Sequence, residues 1–466
     1  MIFGNNYTVK KSNKETSNVE TRAKKSLSLA ALCLGFFMVI MDVTVVNVAL
    51  PNMALGLHAQ LSDLQWVVAG YSLTLACFLL FAGHLSDQVG AKQTLVLGLI
   101  FFVITSFACG IAPTINFLIL FRFLQGMAAA ALMPASLALI NASYDDKKER
   151  VKAIGIWGGV GGIAAASGPV IGAVLTSYLS WRFVFFINIP IGLITVFLVM
   201  RYVVKTQKHL NPHFDLPGQF LGIITTASFA FVLIEIGRLG WSSLLVITAS
   251  MVFVVSLCLF ILVEKHVKQP MFPLGFFKLK NFSISVFIGM LLNTGLYGEL
   301  FILPLYFQQI RGYSVMQAGF AIFPLLILVA ISSYLSGRVA SHKGEKLPLV
   351  IGLVIGMVGF FSLLIVGAHS PQYFFLLLPL AMIGFGTAFA MPASTIIAIH
   401  AVPTNRAGIA SAAFNTSRQL GSLIGVAAFG TIIVTASSFM NGMHITLIIA
   451  GLLFLLGSML SYFMSS

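Results

Sequence analysis

The sequence predicts an all-α polytopic membrane protein: fourteen transmembrane helices, arranged as two pseudo-symmetric six-helix bundles with two extra helices between them. Three observations carry this prediction. The first is composition: 58% of the 466 residues are hydrophobic and only 9% are charged, with a mean hydropathy of +0.99. A water-soluble domain carries far more charge, so lipid must solvate most of this surface. The second is a series of apolar runs long enough to cross a bilayer, and the third is an internal repeat.

A membrane-crossing helix needs about 20 largely apolar residues. With charges, Pro and Gly as punctuation, the runs fall at 27–49, 64–83, 93–112, 115–141, 152–176, 183–201 and 217–236. Seven more follow at 243–263, 281–307, 316–337, 347–368, 373–400, 405–434 and 443–463. The even count puts both termini on one side. Positive charge collects on cytoplasmic loops, and under this assignment 22 of the 27 Lys and Arg fall in the tail and the inner loops. Arg182, Arg238 and Arg311 fall outside, and Arg122 and Arg418 lie within helices. Both termini are therefore expected in the cytoplasm, and the chain in the cytoplasmic (inner) membrane.

The repeat is visible directly. Residues 83–99, GHLSDQVGAKQTLVLGL, align without a gap on 337–353, GRVASHKGEKLPLVIGL, at an offset of 254 and share Gly83/Gly337, Gly90/Gly344 and Lys92/Lys346. GMAAAALMPAS from Gly126 matches GFGTAFAMPAS from Gly384 at an offset of 258, with Pro134 and Pro392 in equivalent places. The implied organisation is a polar cytoplasmic tail (1–26, read as a disordered extension), an N-terminal bundle (27–201), a linker with two extra helices (202–280) and a C-terminal bundle (281–466). Such repeats build transporter sites at the bilayer midplane that open alternately to either side.

Several classes are disfavoured. The net charge of +14 lies between apolar runs and forms no basic face, so nucleic acid is not an expected partner. Cys33, Cys77, Cys109 and Cys258 lie in apolar segments without metal-ligand spacing. No H-E-x-x-H, G-x-S-x-G or G-x-x-x-x-G-K-[ST] occurs, which disfavours an intramembrane enzyme and direct ATP drive.

Four motifs carry a resemblance. They are Asp42-Val-Thr-Val-Val-Asn47-Val-Ala-Leu-Pro51, Gly83-His-Leu-Ser-Asp87-Gln-Val-Gly90-Ala-Lys92, Arg122-Phe-Leu-Gln125-Gly126 and Gly168-Pro169-Val-Ile-Gly172. With them the chain resembles the major facilitator superfamily, and within it the fourteen-span drug:proton antiporters. Trp181-Arg182-Phe-Val-Phe-Phe-Ile-Asn188-Ile-Pro190 resembles the fourteen-span branch specifically. Gln88, Ala91 and Ala173 depart from the family pattern, which implies a thinner cytoplasmic charge network. The Gly168–Gly172 motif marks exporters within the superfamily, so the resemblance implies outward transport.

An ionisable side chain at the bilayer centre costs at least about 2.5–3.5 kcal/mol and is a functional hypothesis by default. Asp42, Arg122, Glu299 and Arg418 meet that description. Asp42 and Arg122 fall at matching depths, and Asp42 is the first choice for a proton carrier, with Arg122 tuning it. A static bridge that only orders two helices is the bland alternative. Glu299 falls within one residue of the repeat equivalent of Asp42 and is expected to face the cavity, taking a proton or a cationic substrate. Arg418 is assigned to the same cavity, with interhelical packing as the alternative. Glu235 reads as a surface pair with Arg238.

The remaining candidates concern conformation. Asp87 can cap the positive end of a neighbouring helix, while Gly83 and Gly90 allow close approach and a tight turn. Lys92 completes that loop, or merely follows the positive-inside bias. Gly158, Gly162, Gly168 and Gly172 allow close helix packing in lipid, and Pro169 can bend its helix. The resemblance implies a proton-coupled antiporter that exports small amphipathic, including cationic, toxic compounds. Its expected partners are protons, lipid and a small-molecule substrate; it has no cofactor and acts as a monomer. A dedicated exporter of one metabolite, such as an antibiotic or chelator, is the second reading, and a non-transporting sensor or scaffold is a remote third.

Overall fold

The computed structural model describes residues 5–144, 146–204, 215–267, 274–368, 372–403 and 406–464; the side chains of 5–23, 80, 87, 147, 148, 151, 407 and 408 lie outside the description. The chain is all helical in these residues. Thirteen helices among them are long and apolar enough to cross a membrane. The 29-residue α2, Leu61–Val89, stands where the sequence reading places the remaining span. The tail differs from expectation, since α1 runs unbroken from Asn5 to Leu57. No Gly or Pro interrupts residues 5–34, and a helix already nucleated in the span propagates readily through Lys, Glu, Ala and Arg.

The first six spans are α1, α2, α3 (Ala91–Gly110), α4 (Ile115–Ser143), α5 (Lys147–Tyr178) and the pair α6 (Phe183–Phe186) and α7 (Asn188–Tyr202). Two further spans follow, α8 (Leu216–Leu239) and α9 (Leu244–His266). The last six are α10 (Lys280–Leu305), α11 (Val315–Lys343), α12 (Lys346–Ser362), α13 (Tyr373–His400), α14 (Ala407–Thr435) and α15 (Phe439–Tyr462). α9 is mostly exposed, with only 11% of its apolar window buried, whereas the α10 window is 83% buried. The first therefore presents its side chains to lipid and the second lies at the centre of its bundle.

Lipid removes the hydrophobic driving force between helices, so close packing of small residues holds them together. The repeat is visible at this level. A Cβ on Gly126 of α4 would run into the Tyr71 carbonyl of α2, and one on Gly384 of α13 would run into the Leu325 carbonyl of α11. Residues 126 and 384 differ by 258 and residues 71 and 325 by 254, the two offsets read from sequence. The duplicated loops agree as well. Gly90 (φ 106°) and Gly344 (φ 83°) both adopt the left-handed backbone that glycine alone takes freely. Lys92 donates to the carbonyls of Met200 and Val203 at the end of α7, at 3.0 and 2.6 Å. Lys346 donates to Tyr462 and Met464 at the end of α15, at 3.4 and 2.9 Å. Each lysine thus satisfies carbonyls at the negative end of the sixth helix of its half, a role more specific than the positive-inside bias.

The two halves meet along α5 against α11 and α2 against α14. Hydrogen bonds join them at one end: Gln65 donates to the Ala427 carbonyl at 2.8 Å, and Gln308 to the Val48 carbonyl at 3.0 Å. Toward the other end α5 draws away from α11. A Cβ on Gly162 would lie 3.5 Å from the Ala330 Cα, whereas nothing stands within 4 Å of one on Gly158 or Gly155. α8 lies across the joined end. Glu235 accepts from the Trp66 indole of α2 at 2.9 Å, and Thr431 of α14 donates to the Leu233 carbonyl at 2.6 Å. Glu235 does pair with Arg238, at 2.7 Å, yet its own side chain is only 6% exposed, so it is an interhelical anchor and not a surface group.

Candidate functional site

Asp42 lies deep in α1 and is fully buried, as are Arg122, Gln125, Asn188 and Ser106. Its carboxylate accepts from Arg122 Nη1 at 2.5 Å, from Asn188 Nδ2 at 2.8 Å and from Gln125 Nε2 at 3.1 Å. Arg122 also donates through Nε to the Val67 carbonyl at 2.9 Å and through Nη1 to Gln125 Oε1 at 2.8 Å. Its guanidinium stacks 4.4 Å from the Tyr71 ring centroid. Ser106 closes the network by accepting from Gln125 at 2.6 Å. The cluster gathers residues from α1, α2, α3, α4 and α7. An ion pair out of water is tolerable when the remaining donors and acceptors of both groups are satisfied, and here most of them are.

Local sequence sets this geometry. Arg122 and Gln125 are three residues apart on α4 and so share a face. The sixth span breaks at Ile187, immediately before Asn188, with Pro190 in the first turn of α7, where its missing N–H costs nothing. That break aims Asn188 at Asp42. Gln125, Asn188 and Ser106 were given no role in the sequence reading. The available signal was that Gln125 and Asn188 stand inside the quoted motifs, while Ser106 sits beside Thr105 in an apolar run.

Glu299 occupies the matching place in the second half, on α10, fully buried. Neither of its carboxylate oxygens has a hydrogen-bond partner among the described residues. Thr446 of α15 sits beside it but donates its hydroxyl to the Met443 carbonyl at 2.8 Å. Residues 446 and 188 differ by 258, so Glu299 and Thr446 mirror Asp42 and Asn188. The same offset carries Arg122 onto Leu380 and Gln125 onto Ile383, both buried. The second acid thus keeps the position of the first and lacks its cation.

Arg418 lies near the middle of α14, about 17 Å from the start of the helix at a 1.5 Å rise. Its Nη1 meets Asn415 Oδ1 at 3.3 Å, and its buried Nε has no partner among the described residues. The charged or titratable neighbour acting on it is Tyr297, which packs against the core of the first half. The two acids are enclosed within their own halves, and Arg418 lies toward the seam between them.

The gating candidates divide similarly. A Cβ on Gly168 or Gly172 would run into Thr44 or Val45 of α1, so these glycines serve packing within the first half. The other half is met by Pro169 and Ala173, whose carbonyl and side chain lie against Gly319 of α11. Gly83 faces Pro134, with 3.7 Å between a Cβ there and the Pro134 Cβ. The Asp87 side chain lies outside the described residues.

Comparison with known proteins agrees with this architecture. The family model for the Major Facilitator Superfamily matches residues 32–220 and 218–426. The chain is 32% identical over 456 residues to the methylenomycin A resistance protein of Streptomyces coelicolor, covering 97% of this chain and 96% of that one. It is 34% identical over 407 residues to the multidrug resistance protein Stp of Mycobacterium tuberculosis, covering 87% and 75%. Among solved structures, a bacterial homologue of the human lysosomal transporter Spinster superposes with a TM-score of 0.64 at 18% identity, covering 94% of this chain and 98% of that one, which speaks to the fold alone. Fold, duplicated helices and sequence matches agree that this multi-pass membrane protein is a transporter, not an enzyme, and belongs to the Major Facilitator Superfamily.

Proposed function

We propose that the chain exports small amphipathic compounds from the cytoplasm in exchange for protons, with the halves 27–201 and 281–466 rocking about a central site. The supporting observation is the pair of mirrored acids, Asp42 held by a guanidinium and Glu299 held by none. A buried carboxyl without a counter-charge costs least when it carries a proton, and an alternating cycle can change that cost by admitting water or a cation. Glu299 is therefore the proton carrier of this mechanism. The Asp42–Arg122 network is the fixed reference against which the other half moves, and it takes part in coupling through that geometry. Gly83, Asp87, Gly90 and Lys92 latch the loop, and Pro169 with Ala173 forms the bearing surface against α11. On the positive-inside reading both termini are cytoplasmic, and the end joined by Gln65 and Gln308 is the outer one. The protein works as a monomer in the bacterial inner membrane.

The relatives named for drug and antibiotic resistance support export as the direction. A second reading, a pump dedicated to one antibiotic-like metabolite, is favoured by the near full-length match to a protein named for resistance to a single compound. The test is transport of pyrene-bearing amphiphiles in proteoliposomes with and without an imposed pH gradient. A gradient of one pH unit is expected to drive accumulation up to about tenfold, the equilibrium limit for one-for-one exchange, and to speed transport, and Glu299→Gln is expected to remove that dependence. Equal rates with and without the gradient would reject proton coupling.

A further inference from the structure

We infer that the site between the two halves takes its substrate by a carboxylate, with Arg418 as the receiving group. The inference rests on the exporter reading for the existence of a substrate, and it names that substrate's class.

The reasoning starts from charge bookkeeping in the bundle centre. Arg122 is neutralised by Asp42, and Glu299 is shut within the second half against α15. Among the described residues the other ion pairs are Glu235 with Arg238 and Glu345 with His400. Arg418 belongs to none of them. It stands near the middle of a 29-residue membrane helix, where an isolated charge is costly and persists only with a function or a partner. Its side chain makes one long hydrogen bond among the described residues, to the neutral Asn415 at 3.3 Å; Tyr297 is the titratable group near enough to act on it, and its Nε is buried without a partner among the described residues.

A structural role for the guanidinium predicts the opposite pattern. Arg122 shows what it looks like: a carboxylate, a backbone carbonyl and a side-chain amide, all within 2.9 Å. Arg418 instead leaves most of its planar fork unengaged at the seam, with the backbone of its own helix tied down by Asn293, which donates to the Arg418 carbonyl at 3.0 Å. The main chain is fixed while the donors are left open. A guanidinium fork matches a carboxylate in a bidentate manner. The surroundings favour a singly charged acid over a phosphate: one cation is present, flanked by Tyr297 and by the apolar face of α10 at Gly289, where a Cβ would lie 3.5 Å from the Arg418 Cγ. The geometry selects an amphiphile with one acidic group and an apolar body.

A matched probe series tests this: 1-pyrenebutyrate, its uncharged alcohol 1-pyrenebutanol, and the corresponding trimethylammonium cation. Binding is measured by pyrene fluorescence on detergent-purified full-length protein, so that no proton gradient is needed, and transport is measured separately in proteoliposomes. Wild type is expected to bind the carboxylate at least about tenfold tighter than the alcohol, the scale of one charge-assisted hydrogen bond. Arg418→Gln should abolish that preference while leaving alcohol binding within about twofold, and Arg418→Lys should restore part of it, since charge is kept and the fork is lost. Carboxylate preference without gradient-driven transport would support the assignment and reject proton coupling. A wild type with no preference for the carboxylate, or an Arg418→Gln variant that binds all three probes equally less well, would overturn the assignment.

Discussion

Arg122→Met is expected to cost about 3–5 kcal/mol of folding stability, because it strands a buried carboxylate whose principal cation is gone. That is a large part of the usual 5–15 kcal/mol margin, so most of the variant should fail to accumulate as folded protein. Asp42 would keep only the amides of Asn188 and Gln125, and Gln125 would itself lose the Arg122 donor. The double variant Asp42→Asn/Arg122→Met should recover more than half of the loss, since a neutral amide can still bond to Asn188 and Gln125. Thermal unfolding of the purified single and double variants provides the cycle. A double variant no more stable than Arg122→Met alone would show that packing of the long side chain over Tyr71, and not charge, holds the cluster together.

Much of this architecture was legible in the amino acids. The apolar runs, the positive loops and the two repeat offsets specify helix number and pseudo-symmetry, because lipid permits few other ways to satisfy the backbone. The Asp42–Arg122 pair followed from matching depths along antiparallel helices. What the sequence could not supply was the facing of each side chain. Glu299 was expected to look into a central cavity, and it lies fully buried beside Thr446 of α15. Gly168 and Gly172 were read as allowing close helix packing, and the neighbour they meet is α1, leaving Pro169 and Ala173 to meet α11. Spacing along a helix tells which residues share a face, and only tertiary packing tells which neighbour that face meets. Asn188 stood in the Trp181–Pro190 motif without a role, which came from the break at Ile187, a local kink with no periodic signature.

Gly384→Ala is expected to destabilise the second half by about 1–3 kcal/mol, the cost of forcing volume into a packed contact. Its new methyl would collide with the Leu325 carbonyl, a backbone atom that cannot rotate away. Relief requires α11 and α13 to separate, and their seam also holds Ser336, which donates to the Phe389 carbonyl at 2.7 Å. Gly126→Ala should behave alike, through Tyr71 and the Thr74 hydroxyl that reaches the Phe123 carbonyl at 2.7 Å. Gly337→Ala is the control: nothing lies within 4 Å of its new methyl, so its stability should stay within about 0.5 kcal/mol of wild type. Detergent-solubilised thermal unfolding of the three variants checks the set. Equal behaviour of Gly384→Ala and Gly337→Ala would contradict the close approach of α11 and α13.

Proton exchange at the unpaired acid of the second half is most directly read as pH change in a weakly buffered solution of purified protein when 1-pyrenebutyrate is added. Wild type should shift the indicator, Asp42→Asn should still shift it if the variant is folded, and Glu299→Gln should not. A Glu299→Gln protein that binds the probe and changes solution pH as wild type does would contradict the account.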